Sequence, residues 1–358
     1  MSFFFDCRFI RVDQHDGISR FSTELFVRVT NQIPVTAIIC DPRQLVKLPE
    51  GVAHVIANEP TNALQELLLP RRLNKLGASV VFSPMQTIGS VGKRYRLVLT
   101  LHDLIYYKHR TPPRWLSWPV RLAWRLFHLS FAPVRILLGR ADAVVTISET
   151  TRDLINKHRL TTNPVHVVYN ASSMQRVTGS LEGPATKNLV YMGSFMPYKN
   201  VELLISALEL LPEYSLTLLS GIDKQRRTQL LSLVNDSTKE RIRFLNGATE
   251  PEYQQILDEC FALVTASKDE GFGIPVIEAM SRAIPVVVSD IEIFREIAGP
   301  AGNFFNNSSL TDLVARIQDL EQVNLWREAS EKSLLQSEKF GWDISASKLI
   351  EVFSDLSG

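Results

Sequence analysis

The sequence predicts an α/β protein made of two doubly wound domains. In both halves of the chain, short apolar runs typical of buried strands alternate with helical stretches, as in parallel sheets covered by helices on both faces. The length of 358 residues is sufficient for two sizeable cores. A polar stretch rich in serine and glycine, residues 171–187, separates the halves and is typical of a linker. We therefore expect one domain at 1–170, a second at 188–340 and a final helical segment at 341–358.

The composition is ordinary for a soluble globular protein, with 45% apolar and 22% charged residues. No run of eighteen apolar residues exists, so we expect no transmembrane helix. The apolar start, residues 1–5, is too short for the core of a signal peptide. Three isolated cysteines in apolar contexts favour small core residues in a reducing compartment over a metal or disulfide set: Cys7, Cys40 and Cys260. These features predict a cytoplasmic protein.

The net charge of +1 hides an asymmetry between the two halves. Residues 1–170 carry an excess of lysine and arginine, whereas residues 171–358 carry an excess of aspartate and glutamate. Opposite signs suggest that the two domains have different partners, or that they attract each other. We expect no nucleic acid among the partners.

A glycine stands at the first predicted turn from strand to helix. The apolar run at residues 3–10 predicts a strand, and apolar residues recur at helical spacing from residue 18 onwards. Gly17 lies between the two, where a doubly wound sheet binds phosphate; the alternative is a simple turn glycine. The other two glycines of the dinucleotide fingerprint are absent, which disfavours a dehydrogenase.

Polar residues follow two of the later strands in the first half. Strands are predicted at 35–40, 80–83, 97–101 and 143–147. His102 and Asp103 follow the third of them, and Ser148 follows the fourth, where it is expected to cap the next helix. A His-Asp pair is more often a packing feature than a catalytic one, but ligands bind beyond the carboxyl ends of strands in such sheets. The position therefore favours a functional role for His102.

Residues 108–140 are rich in tryptophan and contain seven basic residues and no acidic one. A helix is predicted at 119–131, with three polar side chains in one sector, Arg121, Arg125 and His128, and a largely apolar remaining perimeter. One interpretation is a pair of helices whose basic faces are solvated. The other is an interfacial patch in which tryptophan lies at headgroup depth and arginine meets anionic lipid. The candidate residues of this membrane or acceptor patch are Arg114, Trp115, Trp118, Arg121 and Arg125.

The second half begins with a strand, a loop and a helix. The strand is predicted at 188–192 and the helix at 201–211, with Gly193 and Lys199 in the loop between them. Lys199 either neutralises a phosphate or is an exposed charge near the start of a helix. Further strands are predicted at 216–219, 242–244, 262–265 and 285–288. Gly247 follows the second of these and is a candidate contact for a nucleotide base.

The stretch at residues 267–280 organises the second half of the chain. A buried strand precedes it, and Pro275 stands near the first position of an apolar-rich helix, where a missing N–H costs nothing. Between strand and helix, Gly271 and Gly273 let backbone amides approach a ligand with no Cβ in the way. Amides at a helix N-terminus favour negative charge. The stretch therefore predicts an anion-binding loop.

Two carboxylates accompany these amides. Glu270 lies in the loop itself, which suits a ligand that carries hydroxyl groups as well as negative charge, such as a nucleotide sugar. Glu278 is predicted in the first helical turn, where the alternative role is a charge that favours the helix dipole.

The two glutamates resemble the donor-site motif of family 4 glycosyltransferases, in which seven residues separate two glutamates and the first opens a Glu-Gly-Phe-Gly sequence. Here the motif is intact from Glu270 to Glu278. Residues 193–200 are similar to the family's lysine-containing loop, and residues 17–21 to its first glycine-containing turn, with Ser19 in place of a glycine. The resemblance covers nearly the whole chain. It implies the GT-B arrangement, in which two doubly wound Rossmann-like domains face each other across a cleft.

The resemblance implies a role for each candidate residue. Lys199 would bind the donor's phosphate, and Glu278 the ribose hydroxyls. Glu270, with the amides of Phe272 and Gly273, would contact the sugar hydroxyls, and His102 would lie near the sugar and position it. The catalytic candidates are therefore Glu270, Lys199 and His102; the other donor-binding candidates are Gly17, Gly193, Gly247, Gly271, Phe272, Gly273, Ile274 and Glu278.

One position departs from the family pattern. Tyr198 stands where these enzymes usually have an arginine next to the phosphate-binding lysine. The sequence leaves open whether a second cation, such as Lys224 or Arg282, compensates for it.

Family resemblance implies transfer of a hexose from a UDP- or GDP-sugar to an acceptor hydroxyl, with retention of configuration and without a metal ion or other cofactor. The first domain would bind the acceptor, a lipid-linked or cell-envelope glycan, and the final helix would pack back toward it. Contact with anionic lipid would place the protein at the inner face of the cytoplasmic membrane. The alternatives are a nucleotide-sugar 2-epimerase or phosphorylase of similar fold, and a non-catalytic protein that binds nucleotide sugars.

Overall fold

The computed structural model describes residues 2–13, 16–112, 117–178 and 182–356. The chain divides into two compact units, one comprising Met1–Ala171 with Gly341–Gly358 and the other Ser172–Phe340. Each unit contains one parallel β-sheet with helices between its strands, so the predicted class of two doubly wound α/β domains is confirmed.

The first unit contains a seven-stranded parallel sheet in the order β3-β2-β1-β4-β5-β6-β7. Its strands are β1 (Phe3–Asp6), β2 (Val35–Ile39), β3 (His54–Ile56), β4 (Val80–Ser83), β5 (Arg96–Leu101), β6 (Ala143–Thr146) and β7 (Val165–Val167). Strand order reverses between β1 and β4, which is the switch point where doubly wound sheets bind ligands at their carboxyl edge. Two edge strands, β3 and β7, were not predicted, because neither has a buried residue and both lack an apolar run.

The helices of the first unit lie between these strands. They are α1 (Gly17–Thr30), α2 (Ala63–Glu66), α3 (Leu69–Lys75), α4 (Ile105–Lys108), α5 (Trp118–Phe127), α6 (Ala132–Leu138) and α7 (Glu149–Lys157), with a 3-10 helix at Pro42–Lys47. In α1, Phe21, Leu25 and Val29 are fully buried, as their helical spacing predicts.

A buried ion network explains why β1 ends at Asp6 and not at residue 10. Arg8 turns back so that its Nε lies 2.7 Å from Asp6 Oδ1, and its Nη1 pairs with Glu66. Ser83 Oγ donates to Asp6 Oδ2 at 3.2 Å, and the backbone N–H of Gly89 donates to Glu66 at 2.7 Å. Burial alone would lower the pKa of Arg8, but the two carboxylates outweigh it and raise that pKa. The network joins the carboxyl ends of β1 and β4 to two loops.

The second unit contains a six-stranded parallel sheet in the order β10-β9-β8-β11-β12-β13. Its strands are β8 (Asn188–Tyr191), β9 (Ser215–Leu218), β10 (Ile242–Phe244), β11 (Ala262–Thr265), β12 (Val286–Ser289) and β13 (Gly302–Phe305). Its helices are α8 (Val201–Ala207), α9 (Lys224–Leu231), α10 (Asp236–Lys239), α11 (Glu250–Asp258), α12 (Ile274–Ser281), α13 (Glu292–Ala298), α14 (Leu310–Asp319) and α15 (Val323–Ser337), with 3-10 helices at Pro197–Lys199 and Gly299–Ala301. Strand order reverses between β8 and β11.

The last helix, α16 (Trp342–Asp355), belongs to the first unit. It packs along α1, where the ring of Trp342 lies 6.1 Å from that of Phe21. Near its end, the ring of Phe353 stacks on Phe3 of β1 at 5.4 Å. Apolar contacts thus hold this segment against the first sheet although more than three hundred residues separate it from β1 in sequence.

Candidate functional site

The loops after β8 and β11 bring two of the predicted residues into contact. These strands are neighbours in the sheet, and Lys199 follows one while Glu270 follows the other. Lys199 Nζ pairs with Glu270 Oε2, and the two side chains are only 12% and 17% exposed. The backbone N–H of Lys268 donates to the carbonyl of Tyr198 at 2.7 Å, which fastens one loop to the other. Lys199 and Glu270, the residues predicted to bind phosphate and sugar, therefore lie side by side at the carboxyl edge of the second sheet.

The position of Lys199 is fixed by its neighbours in the chain. It ends the 3-10 turn Pro197–Lys199, and Asn200 follows in the left-handed region with φ of 53°. The Asn200 side chain donates to the carbonyl of Asn307 at 2.9 Å, which compensates for an unfavourable backbone conformation. Further along, Arg226 donates to the carbonyl of Phe195 at 3.2 Å and so supports the first part of the same loop.

Gly273 is the residue at which the chain turns into α12. It is the N-cap residue with φ of +99°, and a Cβ at this position would lie 2.9 Å from Cε1 of Phe294. Both the backbone angle and the lack of space require glycine. No hydrogen bond from a side chain caps this helix among the residues that the structure describes. Pro275 has no N–H and the N–H of Val276 donates to the carbonyl of Gly273 at 2.9 Å, so the amides of Gly273 and Ile274 are the ones left to an anion. Pro275 stands in the first turn, as predicted.

The buried side chain of Phe272 packs the loop against the protein interior. Its side chain is 3% exposed and its ring meets that of Phe340 edge-on at 6.0 Å. With the side chain buried, what Phe272 offers a ligand is its backbone. This agrees with the role that the sequence predicts for its amide.

Glu278 lies just past the first turn of α12, whereas the sequence predicts it within that turn. The helix begins at Ile274, so Glu278 opens the second turn and the prediction of a first-turn position was wrong. The residue is 2% exposed, and the hydroxyl of Tyr253 donates to its Oε2 at 2.9 Å. A carboxylate buried in this way needs hydrogen-bond donors. A charge whose role is only to favour the helix dipole would be exposed, so the burial of Glu278 disfavours that alternative. Tyr253 was not anticipated from the sequence, because nothing in its spacing from Glu278 marks the contact.

A cavity of about 120 Å³ lies at this edge of the sheet. Its lining contains four predicted residues, namely Gly193, Lys199, Glu270 and Gly273, together with apolar side chains from β11, α12 and α13. Gly193 is required for space, since a Cβ there would lie 2.7 Å from the hydroxyl of Tyr191. Charged groups and open amides thus converge on one small, partly apolar cavity.

Gly247 lies apart from this cavity. It follows β10, two strands away from β8, and adopts φ of +113° while its N–H donates to the carbonyl of Leu219 at 2.9 Å. It lines a separate groove of about 310 Å³ together with Arg243 and Glu252. The structure explains the glycine by its backbone angle, and the contact with a base remains a prediction.

Arg282 does not replace the arginine that the family usually has at the position of Tyr198. That residue caps the carboxyl end of α12, and its guanidinium makes two contacts with Asp258, at 2.6 and 2.7 Å. Because the helix is eight residues long, roughly 12 Å of it separate Arg282 from the N-terminal amides. Lys224 is exposed at the first position of α9, after β9. Sequence reasoning overlooked Lys268, whose exposed side chain belongs to the loop that is bonded to Tyr198.

In the first unit, the start of α1 differs from the phosphate site that the sequence suggests. Gly17 is the first residue of α1, but Asp16 is the N-cap, and its carboxylate accepts the N–H of Ser19 at 2.8 Å. An aspartate in this place competes with any anion for the amides of the first turn. The assignment of Gly17 to phosphate binding therefore has less support than that of Gly273.

His102 follows β5 and is held in place by three contacts. Its Nε2 lies 2.7 Å from the carbonyl of Pro84, its ring meets Phe21 edge-on at 5.2 Å, and its own carbonyl accepts the hydroxyl of Thr151 at 3.3 Å. Burial lowers the pKa of His102, so the imidazole is neutral near pH 7. A neutral ring whose Nε2–H is bound to a carbonyl suits the positioning role that the family resemblance implies, and that role remains a prediction.

Helix α5 directs its apolar residues outward. None of its residues is buried, and Trp118 is 74% exposed. Leu122 and Leu126 are exposed beside it, and Leu129 continues this surface beyond the helix. Arg125 is exposed among them. Two further candidates of the predicted patch, Arg114 and Trp115, lie outside the described residues.

The inward side of α5 is aromatic. Trp124 and His128 stack at 4.1 Å, and both rings lie close to Tyr106, at 5.1 and 5.9 Å. Burial lowers the pKa of His128, which favours the neutral ring in this cluster. The predicted polar sector of Arg121, Arg125 and His128 is therefore not a solvated face, because His128 is stacked and Arg121 is half-buried.

The described part of the chain lacks two kinds of feature, a metal-binding cluster and a membrane-spanning helix. Residues 2–13, 16–112, 117–178 and 182–356 contain no group of three or more side chains arranged to hold a metal ion. Within the same ranges, no helix is both long and apolar enough to span a bilayer.

Comparisons with known proteins agree with this architecture. A family model described as glycosyl transferases group 1 matches residues 180–333, and one described as glycosyltransferase family 4 matches residues 35–176. The chain is 27% identical over 192 residues to the O-antigen chain mannosyltransferase RfbU of Salmonella typhimurium, and 26% identical over 269 residues to the O-antigen chain mannosyltransferase B of Escherichia coli. The first alignment covers 53% of this chain and 54% of the relative; the second covers 72% and 70%.

Solved structures share the fold over almost the whole chain. The sucrose-phosphate synthase of Thermosynechococcus elongatus superposes with a TM-score of 0.74 at 17% identity, covering 99% of this chain and 98% of that one. The Anabaena protein HepE in complex with UDP-glucose superposes with the same TM-score at 14% identity, covering 99% and 100%. With the two family models on adjacent parts of the chain and the intact glutamate motif, the protein belongs to glycosyltransferase family 4 and has the GT-B fold.

Proposed function

We propose that this protein is a retaining hexosyltransferase that uses a nucleotide diphosphate sugar as donor. The observation that carries the proposal is the contact of Lys199 with Glu270 beside the open amides of α12. A cation and helix amides suit a diphosphate, and a carboxylate within reach suits the hydroxyl groups of a sugar. Family membership supports the same reaction class.

The relatives indicate the kind of donor and acceptor. Two of them are named O-antigen chain mannosyltransferases, so we propose a mannosyl donor and a growing cell-envelope polysaccharide as acceptor. Neighbouring structures of HepE contain UDP, so both UDP- and GDP-linked hexoses belong in the first screen. The nucleotide base is the open question for this site.

In the proposed reaction, Lys199 and the first amides of α12 stabilise the leaving diphosphate, on which negative charge grows. The bond between the anomeric carbon and the phosphate oxygen breaks, and its electron pair leaves with the phosphate. The acceptor oxygen bonds to the anomeric carbon on the same face and gives its proton to the departing phosphate oxygen. Glu270 holds sugar hydroxyls, and Glu278 holds the ribose. Because the lysine and the amides supply positive charge, we propose that the reaction needs no metal ion.

We also propose that α5 docks on an anionic membrane surface at the cytoplasmic face, where a lipid-linked acceptor would be found. Its outward side chains are apolar, with Trp118 the most exposed of them. Basic residues surround them and residues 108–140 contain no acidic one, so the charge complements anionic headgroups. An apolar helix face in water is unfavourable unless something covers it.

A screen of the purified chain against nucleotide sugars tests the function. We expect one UDP- or GDP-hexose to raise the melting temperature, by an amount equivalent to about 2.7 kcal/mol at 100 times its Kd, while NAD has no effect. With that donor, transfer to a glycan acceptor should proceed equally with and without EDTA. Conversion of the donor to an epimer without any acceptor would favour the epimerase alternative. Binding without turnover on any acceptor would favour a non-catalytic role.

A further inference from the structure

The contact between Lys199 and Glu270 has a bearing on which ligands the site accepts. Lys199 Nζ and Glu270 Oε2 neutralise each other, and Ser267 Oγ donates to the same Oε2 at 3.3 Å. The ring of Tyr198 lies 5.3 Å from Lys199 Nζ on another side. Without a ligand, the cation proposed for the phosphate is therefore already occupied by a carboxylate.

A diphosphate that binds here competes with Glu270 for Lys199 and draws the ammonium group toward the phosphate. A free nucleoside diphosphate then leaves the Glu270 carboxylate, whose side chain is only 17% exposed, without its cation and close to a second negative charge. Both effects oppose binding, because a partly buried charge loses its partner and like charges repel.

A nucleotide diphosphate sugar changes this balance. Its sugar hydroxyls donate hydrogen bonds to the carboxylate at the moment when the phosphate takes the lysine. Hydrogen bonds to a charged acceptor are stronger than those between neutral groups, so the carboxylate exchanges one set of partners for another. The diphosphate then gains the lysine without leaving an unpaired charge behind.

From this contact we propose that Glu270 determines ligand specificity, selecting the sugar-bearing nucleotide over the free nucleoside diphosphate by competing for Lys199. The inference rests on the proposed function and deepens it. After transfer, the sugar has left with the acceptor, and Glu270 has lost its hydroxyl partners. The carboxylate then pairs again with Lys199, which weakens the hold on the product diphosphate and favours its release.

The test is the affinity of the full chain for free UDP and free GDP, measured by isothermal titration calorimetry. Glu270→Gln should bind the nucleotide preferred by the wild type about ten times more tightly, because the competing charge is gone and Lys199 is released. Adding Lys199→Gln to that variant should abolish the gain, because the released cation is then absent.

Asp269→Asn is the matched control. It removes one negative charge from the same loop and leaves an oxygen that can still accept the N–H of Glu270, now 3.2 Å from Asp269 Oδ1. We expect it to change the affinity less than twofold. Melting curves without ligand verify that each variant is folded, and the lysine variant Lys199→Gln alone should bind the free nucleotide more weakly than the wild type.

The outcomes distinguish a failure of this inference from a failure of the proposed function. If the wild type binds UDP or GDP and folded Glu270→Gln binds it equally well or more weakly, the selection by Glu270 is overturned while the donor site stands. An equal gain in Asp269→Asn also overturns it, because the effect would then be general electrostatics. If the wild type binds no nucleotide or nucleotide sugar at all, the proposed function fails and this inference fails with it.

Discussion

Helices α12 and α5 are both rich in large apolar side chains, but they direct them oppositely. In α12, Val276, Ile277 and Met280 are buried against the second sheet, and the surface left to a ligand consists of backbone amides and flanking charges. In α5 no residue is buried, and the side chains themselves form the surface. The first arrangement suits a small polar ligand, whereas the second suits an extended apolar one. Whether the apolar side chains face the core or the solvent, more than how many there are, indicates what kind of ligand each helix suits.

The largest effect should come from the charge beside α12. Lys199→Ala removes the cation that we propose faces the leaving group, so kcat at saturating donor should fall about 10² to 10³-fold, as for loss of one preorganised electrostatic donor. Steady-state kinetics with the donor found in the screen measures it. Lys239→Ala, which alters an exposed lysine paired with Asp236 in the same unit, should leave kcat unchanged. A wild-type kcat in Lys199→Ala would remove this residue from the reaction.

The second prediction compares the two helices directly by stability. Met280→Ala should lower the free energy of unfolding by about 2–5 kcal/mol, because it opens a cavity in a packed core. Leu126→Ala removes a side chain that is 58% exposed and should change that free energy by no more than about 0.5 kcal/mol. Urea unfolding followed by circular dichroism measures both. Equal losses would mean that α5 is packed against protein, and the contrast drawn above would be wrong.

The third prediction concerns what covers α5. The wild type should sediment with vesicles containing anionic phospholipid, and less so at high salt, which screens exposed charges. Arg121→Glu with Arg125→Glu should abolish this binding without lowering the melting temperature, whereas Lys332→Glu in the second unit should not affect it. Binding that is equal for neutral and anionic vesicles contradicts the proposal. A dimer in solution that the arginine variant dissociates would assign the surface to a second copy of the chain.

The smallest effect should come from the hydroxyl that supports Glu278. Tyr253→Phe removes one hydrogen bond, of 2.9 Å, to the buried carboxylate, and a bond worth about 1 kcal/mol corresponds to a roughly fivefold rise in donor KM. Because the ribose contact is made equally in the ground and transition states, kcat should stay the same. Glu278→Ala should raise KM further. If Tyr253→Phe instead lowers kcat at unchanged KM, the ribose assignment is contradicted.

The sequence was sufficient for the fold class, and it singled out two residues that the structure brings into contact, Lys199 and Glu270. Glu270 and Lys199 each lie in a loop after a predicted strand, and the family resemblance added the role of each; their contact follows from β8 and β11 being neighbours in the sheet, which the sequence does not show. Gly273 was predictable from local sequence, since a glycine before a proline-started helix marks an open N-terminus. In this case local sequence and tertiary position depend on the same residues.

Other features depend on contacts that local sequence does not encode. Strand β13 pairs with β12 at the sheet edge and carries glycine and asparagine, so no apolar run marks it. Two contacts of α12, that of Glu278 with Tyr253 and that of Arg282 with Asp258, join residues that are distant in the chain. The position of Glu278 beyond the first turn depends on one residue of helix phase. The sequence left two interpretations of α5 open, a solvated basic face and an interfacial patch, because its helical periodicity is the same whichever side faces the protein.

If α5 rests on a membrane, as proposed, its exposed apolar side also affects how the protein's kinetics should be measured. A protein resting on a bilayer meets a lipid-linked acceptor by diffusion in two dimensions, so its velocity follows the mole fraction of acceptor in the vesicle and not its molarity in the tube. Diluting the acceptor with inert lipid at constant bulk concentration would then slow the reaction, although a conventional rate law holds every reactant fixed. The exposed indole of Trp118 provides a fluorescent reporter on that surface.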